Sequence, residues 1–235
     1  MKKLYVESDG TCSWRARLAD PSLHWKRQAS AMELSVSWEL AARGPRGLPE
    51  AVERVLDTHP ATSGARLLFG VPEHRVSLPG GSRASQTDLW AVLRVDQGWI
   101  SLAVEAKARE PFGPTVKEWL RESTPGKRAR ITALCETLGV QQPVEESEIR
   151  YQLFHRAASA IIEASRIGAG TAMLLVQNFY ADSTSWSDFE SFVHMLGATA
   201  CRDGICEVRC PGVERLLFAW VDSRVATDAE LASAV

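Results

Sequence analysis

The chain has 235 residues, with 27 Lys and Arg against 29 Asp and Glu and 45% hydrophobic residues. That is ordinary globular composition, enough for one domain with a sizeable core, and sixteen Gly and eleven Pro exclude a collagen-like or low-complexity chain. Apolar runs such as Ala172–Val176 fall far short of the ~18–20 residues that cross a bilayer, so no membrane partner is expected. Met1-Lys2-Lys3 is basic, but polar residues follow it instead of the apolar stretch of a signal peptide. A net charge of −2 counts against a protein that coats DNA nonspecifically. It still leaves room for a local basic groove around an acidic metal site. Five cysteines, an odd number without a C-x-x-C pair, point to free thiols and a reducing, cytoplasmic compartment.

Residues 1–28 are polar and punctuated by Asp9-Gly10 and Asp20-Pro21, with room for a short strand or helix. Ser30-Ala31-Met32-Glu33 fits a capping box, with Ser30 as N-cap and Glu33 reaching back. A helix should follow to about Ala42, where Gly44-Pro45 stops it, and a second should span Pro49–Thr58. Ala65–Val71 and His74–Leu78 read as short strands separated by Pro72. After the Pro79-Gly80-Gly81 loop, Gln86–Val95 and Trp99–Lys107 read as two strands of a hairpin around Asp96-Gln97-Gly98. The pattern then turns helical over Pro114–Glu122 and Lys127–Leu138. In Glu145–Ile167, residues Ile149, Leu153, Ala157, Ala160 and Ala164 form one apolar helix face. Thr171–Phe179 is a buried-type strand and Ser185–Leu196 a helix capped by Ser185 or Ser187. Cys206–Cys210 and Arg215–Val221 are two further strands, and the tail 226–235 has no identifiable partner. Helices around a hairpin and a buried strand predict an α/β sandwich on a mixed sheet.

Asp88, Glu105 and Lys107 are the most informative residues. Glu105 and Lys107 are two apart on a predicted strand and so share a face, at the end of an apolar stretch that runs from Ile100 to Val104. If Asp96 and Gln97 make the turn, Val95 faces Gly98 and Asp88 faces Glu105. If Gln97 and Gly98 make it, Asp88 faces Lys107. Both registers put the three side chains on one face, whereas a three-residue turn with a Gly bulge turns Asp88 away. Paired carboxylates are hard ligands suited to Mg²⁺, the Ala106 carbonyl offers a further oxygen, and Lys107 can hold a water or stabilise a phosphoryl transition state. A bare E-x-K at a sheet edge is more often a cross-strand ion pair worth under about 1 kcal/mol. The upstream Asp88 sharpens the pattern.

Asp88, sixteen intervening residues and then Glu105-Ala106-Lys107 resemble the PD-(D/E)xK nuclease superfamily. Around them, Ser30-Ala31-Met32-Glu33-Leu34, Leu78-Pro79-Gly80-Gly81, Ser85-Gln86-Thr87-Asp88, Phe112-Gly113 and Tyr151-Gln152-Leu153-Phe154-His155-Arg156 look like one branch of it. The likeness covers roughly residues 24–195, and Thr87 stands where the signature has Pro. It implies a restriction-endonuclease-like three-layer sandwich, a central mixed β-sheet flanked by helices, built as a single domain over 1–235. The core would span about 24–222, with a loose tail at 226–235. It implies Mg²⁺ or Mn²⁺ held by Asp88, Glu105 and the Ala106 carbonyl, with Lys107 catalytic. The expected reaction is phosphodiester cleavage, of DNA rather than RNA, and a homodimer fits the resemblance. Glu33 matches the early-helix glutamate of such enzymes, although the capping box explains it equally well. Gln152 matches the position on the following helix where a Gln or Arg is often presented. Arg156 lies four residues on and shares its face, and His155 is adjacent; these two are candidate phosphate contacts.

Two competing functions fit the same residues. One is a nuclease-fold accessory protein that binds nucleic acid or protein without catalysis, and the other is a metal-dependent hydrolase of a small phosphorylated molecule. Cys201, Cys206 and Cys210 near His194 lack the paired spacing of a zinc site and read as buried thiols. No G-x-S-x-G surrounds Ser82 or Ser85, and Gly80-Gly81 lacks the Walker ending. Lys127, Arg128 and Arg130 form a short basic run that could bind phosphates, although a solvated helix start is the plainer reading. Trp119 and Trp186 are candidates to stack on bases, and His74 lies near the sheet.

Overall fold

The apolar runs pair into one sheet whose two faces are both covered. The computed structural model describes residues 10–180 and 185–234. In chain order the elements are α1 (Thr11–Arg15), α2 (Pro21–His24), α3 (Ser30–Ala41), α4 (Glu50–Leu56), β1 (Arg66–Val76), β2 (Ser85–Val95) and β3 (Gly98–Lys107). Then follow α5 (Val116–Leu120), α6 (Pro125–Leu138), α7 (Tyr151–Ile167), β4 (Thr171–Asn178), α8 (Ser185–Met195), β5 (Ile205–Val208), β6 (Arg215–Asp222) and α9 (Asp228–Ser233). The strand order is β1-β2-β3-β4-β6-β5. β1, β2 and β3 form an antiparallel meander, β3, β4 and β6 run parallel, and β5 closes the far edge antiparallel to β6. The architecture is therefore α/β, an open mixed sheet with helices on both faces.

Alternation along the strands divides the core. Ile100, Leu102, Val104 and Ala106 of β3 pack with Leu34 and Trp38 of α3 and Val52 and Val55 of α4. Ala103 faces the opposite layer, with Leu153, Phe154 and Ala157 of α7 and Phe189 and Phe192 of α8. By strand periodicity Glu105 and Lys107 join Ala103 on the α7 side. Asp88 joins them, because Leu89, Ala91 and Leu93 of β2 point to the α3 side. The hairpin takes the first of the three registers: Val95 pairs with Gly98, and the ladder continues to Leu89–Val104. Gly98 has φ +126°, a value that a side chain would strain.

Three elements differ from the sequence expectation. Arg66–Val76 is one strand rather than two, since pairing continues through Pro72 opposite Leu89. β1 is an edge strand, where a missing N–H is tolerated. α7 begins at Tyr151, six residues after the expected start at Glu145. The preceding backbone is used elsewhere: Val116 N–H donates to Ile149 O at 2.8 Å, Tyr151 N–H donates to Pro114 O at 3.1 Å, and Thr115 bridges Arg150. Tertiary pairing overrides helix periodicity there. The tail also has partners. Thr227 and Glu230 form a capping box on α9, and Ala234 O accepts from Thr11 N–H at 2.9 Å.

Glu33 ties down the start of the tail. Ala29, not Ser30, is the N-cap of α3, and Glu33 reaches past it to accept from Gln28 N–H at 3.1 Å and from Ala226 N–H at 2.7 Å. Glu33 is 2% exposed. Replacing it with Ala should lower stability by about 1–3 kcal/mol, the cost of leaving buried donors unpaired, and expose residues 226–234 to proteolysis. Urea unfolding and limited digestion with proteinase K, which needs no Lys or Arg in the 226–234 segment, check both. Unchanged digestion would detach Glu33 from tail docking.

Candidate active site

The site grows out of a local parting of two strands. Below Leu89–Val104 the β2–β3 ladder stops, and the Ala106 N–H donates to the Asp88 carboxylate at 2.8 Å instead of to a main-chain oxygen. The Ala106 carbonyl addresses the same side, because both polar groups of a strand residue face one neighbour. β2 remains paired with β1 here, through His74–Thr87 and Val76–Ser85.

Glu105 is the hub. It is 2% exposed, and both carboxylate oxygens are occupied. Oε1 accepts from Lys107 Nζ and Gln152 Nε2, each at 2.7 Å, and Oε2 accepts from Arg156 Nε at 2.5 Å. Lys107 Nζ also donates to Gln152 Oε1 at 3.3 Å and lies 4.8 Å from the Phe112 ring centre. Arg156 Nη1 donates to Ser85 Oγ at 3.0 Å, and Ser85 Oγ is 2.9 Å from His155 Nδ1. The Nη2 of Arg156 makes no hydrogen bond among the described residues; it stands 4.0 Å from Asp88 Oδ1. One guanidinium therefore spans both carboxylates. The late start of α7 matters here, since it puts Gln152 in the first turn and His155 and Arg156 one turn on.

Asp88, Glu105, Ala106, Lys107, Gln152, His155 and Arg156 thus come together as the sequence pattern anticipates. Glu33 does not. It sits in the α3 layer across the sheet, engaged with the main chain of residues 28 and 226. His74 packs on Trp90 with ring centres 4.8 Å apart, and its Nε2 lies 3.2 Å from Glu163 Oε1 without forming a hydrogen bond. Trp186 packs on Trp220 within the aromatic core. Arg130 is 7% exposed and binds the carbonyls of Pro79 and Gly81, so it is a strut rather than part of a solvated helix start. Gly80 has φ +78°, and a Cβ there would lie 2.3 Å from Arg130 N, so only glycine fits.

Sequence reasoning passed over Glu73. It follows Pro72 with φ +54°, a strained value for a residue with a side chain, and accepts from Gln86 Nε2 at 2.7 Å. Only the β1–β2 register brings it beside Asp88. Two cations, Lys107 and Arg156, then face three carboxylates, while the nearby Arg75 is exposed. Burial alone would raise Glu105, but Arg156 and Lys107 outweigh it and hold its carboxyl at about 2. Burial pushes Asp88 well above the ordinary carboxylate range, and the charges of Glu105 and Glu73 add to the effect. Burial likewise raises Glu73 to about 7. His155 is driven well below its usual value by burial and by the adjacent Arg156.

All five cysteines are free, and burial pushes Cys206 up to about 12. Among the described residues, no group of three or more His, Cys, Asp or Glu side chains is arranged to hold a metal. No helix among them is long and apolar enough to cross a membrane.

The shifted carboxyls carry a pH signature. Between about pH 4.5 and 7 the folded protein holds the Glu73 proton more tightly than the unfolded chain does, so stability falls as pH rises through that window. Asp88 acts in the same direction. Glu105 acts oppositely and lower, adding stability as pH rises from about 2 to 4.5. Glu73→Gln should flatten the decline in melting temperature between pH 5 and 7. An identical decline in the variant would remove Glu73 from the titrating cluster.

No curated protein and no solved structure matches the chain. A family model does match, over residues 7–225. On that match the chain belongs to the family described as a domain of unknown function, DUF6946.

Proposed function

We propose that the chain is a Mg²⁺-dependent phosphodiester hydrolase of the PD-(D/E)xK type, acting on DNA in the cytoplasm. The observation that carries this reading is the convergence of Asp88, Glu105 and Lys107 on one sheet face, with Gln152 and Arg156 of α7 against them. The donor chemistry fits an oxygen-seeking cation. Asp88 Oδ1 accepts no hydrogen bond among the described residues, and the excess of carboxylates leaves Asp88 in need of a counter-charge. Asp88, Glu105 and the Ala106 carbonyl would hold Mg²⁺ or Mn²⁺. When bound, the ion supplies charge neutralisation at the phosphodiester and lowers the pKa of an attacking water.

The chain's own groups do the positioning. Lys107 has three donors; two go to Glu105 and Gln152, and the third is left for the attacking water or a phosphoryl oxygen. Gln152 bonds both partners of that ion pair and fixes the direction of the ammonium. Ser85 and Glu105 hold two nitrogens of Arg156, so that Nη2 remains for a phosphate oxygen. Neutral His155 keeps Ser85 in place.

A second reading has its own observation. Three donors already occupy both oxygens of Glu105, as they would in a nuclease-fold binding protein that takes up no ion. Mg²⁺ titration calorimetry separates the two: stoichiometric uptake supports the hydrolase, and none supports the binder.

Asp88→Asn sharpens the test. Removing the strained carboxylate should leave the melting temperature equal to or above that of the wild type, while abolishing both Mg²⁺ uptake and cleavage of a DNA substrate. Loss of at least a hundredfold in rate is expected for an essential charged group. Wild-type cleavage by the purified variant would refute the assignment.

A further inference from the structure

Beside the Glu105 cluster lies an open groove of about 770 Å³. Its walls are the 80–86 segment, the 111–114 segment and the first turns of α6 and α7. Among the described residues, Arg83, Lys107, Lys127, Arg130 and Arg156 line it, and no Asp or Glu does. That is a local excess of positive charge in a chain whose net charge is −2. A cleft lined by one sign concentrates ligands of the other, so the groove selects for anions.

Three of the five cations are committed within the protein. Lys107 and Arg156 serve Glu105, and Arg130 serves the Pro79 and Gly81 carbonyls. Arg83 is exposed and makes no hydrogen bond or ion pair among the described residues. Lys127 gives one bond to the Trp119 carbonyl at 2.7 Å and keeps two donors. Apart from the donors that Lys107 and Arg156 keep at the proposed cleavage site, these two are the groove cations left to meet a ligand.

Aromatic surface lies in the same groove. The half-buried rings of Trp119 and Tyr151 stack face to face, with centres 3.9 Å apart and planes 8° from parallel. Lys127 Nζ lies 5.3 Å from the Trp119 ring centre. A cationic track beside partly exposed rings suits a single nucleic-acid strand, whose phosphates can meet the cations and whose unpaired bases can meet the rings. A duplex buries its base faces in its own stack and has use for the cations alone.

We propose that this groove binds a single strand of nucleic acid, with Arg83 and Lys127 on its phosphates and the Trp119–Tyr151 pair against an unpaired base. The proposal rests on the hydrolase reading for its place beside a cleavage site, and it names the substrate as single-stranded; its test needs no cleavage. Fluorescence anisotropy in EDTA follows labelled deoxyuridine and uridine oligonucleotides of about twelve residues, which differ only in the sugar and lie within the usual site size. Either single strand should bind at least roughly tenfold more tightly than a blunt duplex of equal length, and the tighter of the two identifies the sugar.

The Arg83→Ala/Lys127→Ala double variant, with its fold checked by thermal melting, should bind more weakly. Its log–log salt slope should be shallower by about 1.4, or about 0.7 per lost phosphate contact. Trp119→Leu should weaken binding roughly tenfold and leave the slope unchanged. Wild-type affinity and slope in the double variant, or duplex binding as tight as single-strand binding, would overturn the proposal. Adding Mg²⁺ afterwards keeps the two ideas apart: binding without cleavage counts against the hydrolase alone, and cleavage with wild-type binding by the double variant counts against the groove alone.

Discussion

Burying the Glu105 carboxylate is the constraint around which the rest of the cluster is arranged. An isolated carboxylate in a low-dielectric interior is too costly to persist, and Glu105 is 2% exposed at the end of a core strand. Three donors from two elements meet that demand: Lys107 on its own strand, and Gln152 and Arg156 on α7. Each is fixed by the arrangement, because moving any one leaves a buried charge short of a partner. Such networks are poor sources of stability. Replacing a buried ion cluster with well-packed apolar groups is often neutral or stabilising by about 1–4 kcal/mol. The chain carries the desolvation cost at a place where an apolar core would serve the fold as well, and perturbed carboxyls grouped at a groove mark a functional site more often than chance.

Two charge environments adjoin here. Inside, three carboxylates face two cations, and the surplus negative charge falls on Asp88 and Glu73. Outside, the groove wall is cationic, with no carboxylate among the described residues. In the proposed hydrolase, a negatively charged polymer drawn to the mouth would meet an interior one positive charge short of balancing its three carboxylates. The near-neutral net charge of the whole chain hides this separation, because it averages over both regions.

The fold delivers the arrangement through a few backbone decisions. β2 stays paired with β1 while parting from β3, which frees the Ala106 amide for the Asp88 side chain. Main-chain pairing of residues 115–116 with 149–150 delays α7 until Tyr151, so that the helix opens into the groove instead of running past it. Arg130 clamps the Gly80–Gly81 loop to α6, which fixes one groove wall next to Lys107 and Arg156.

The α/β class, helices α3 to α8, the strands apart from the continuity of β1, and the pairing of Asp88 with Glu105 and Lys107 on one face are legible in the sequence, whereas α1, α2 and α9 are not. They rest on local rules: period-two alternation in β2 and β3, a turn signal at Asp96-Gln97-Gly98, and a helical stripe from Leu153 to Ala164. Gln152 and Arg156 were legible through the resemblance and their four-residue spacing. Glu73 was not, since its place beside Asp88 depends on the register of an edge strand and on an unusual φ that no spacing encodes. Nor was the role of Glu33, whose carboxylate is claimed by an amide 193 residues away. Local pattern determines which face of its own element a side chain occupies. Which charges share a buried space, and which cations stay free to meet a ligand, is decided only when distant segments compete for the same donors and acceptors in three dimensions.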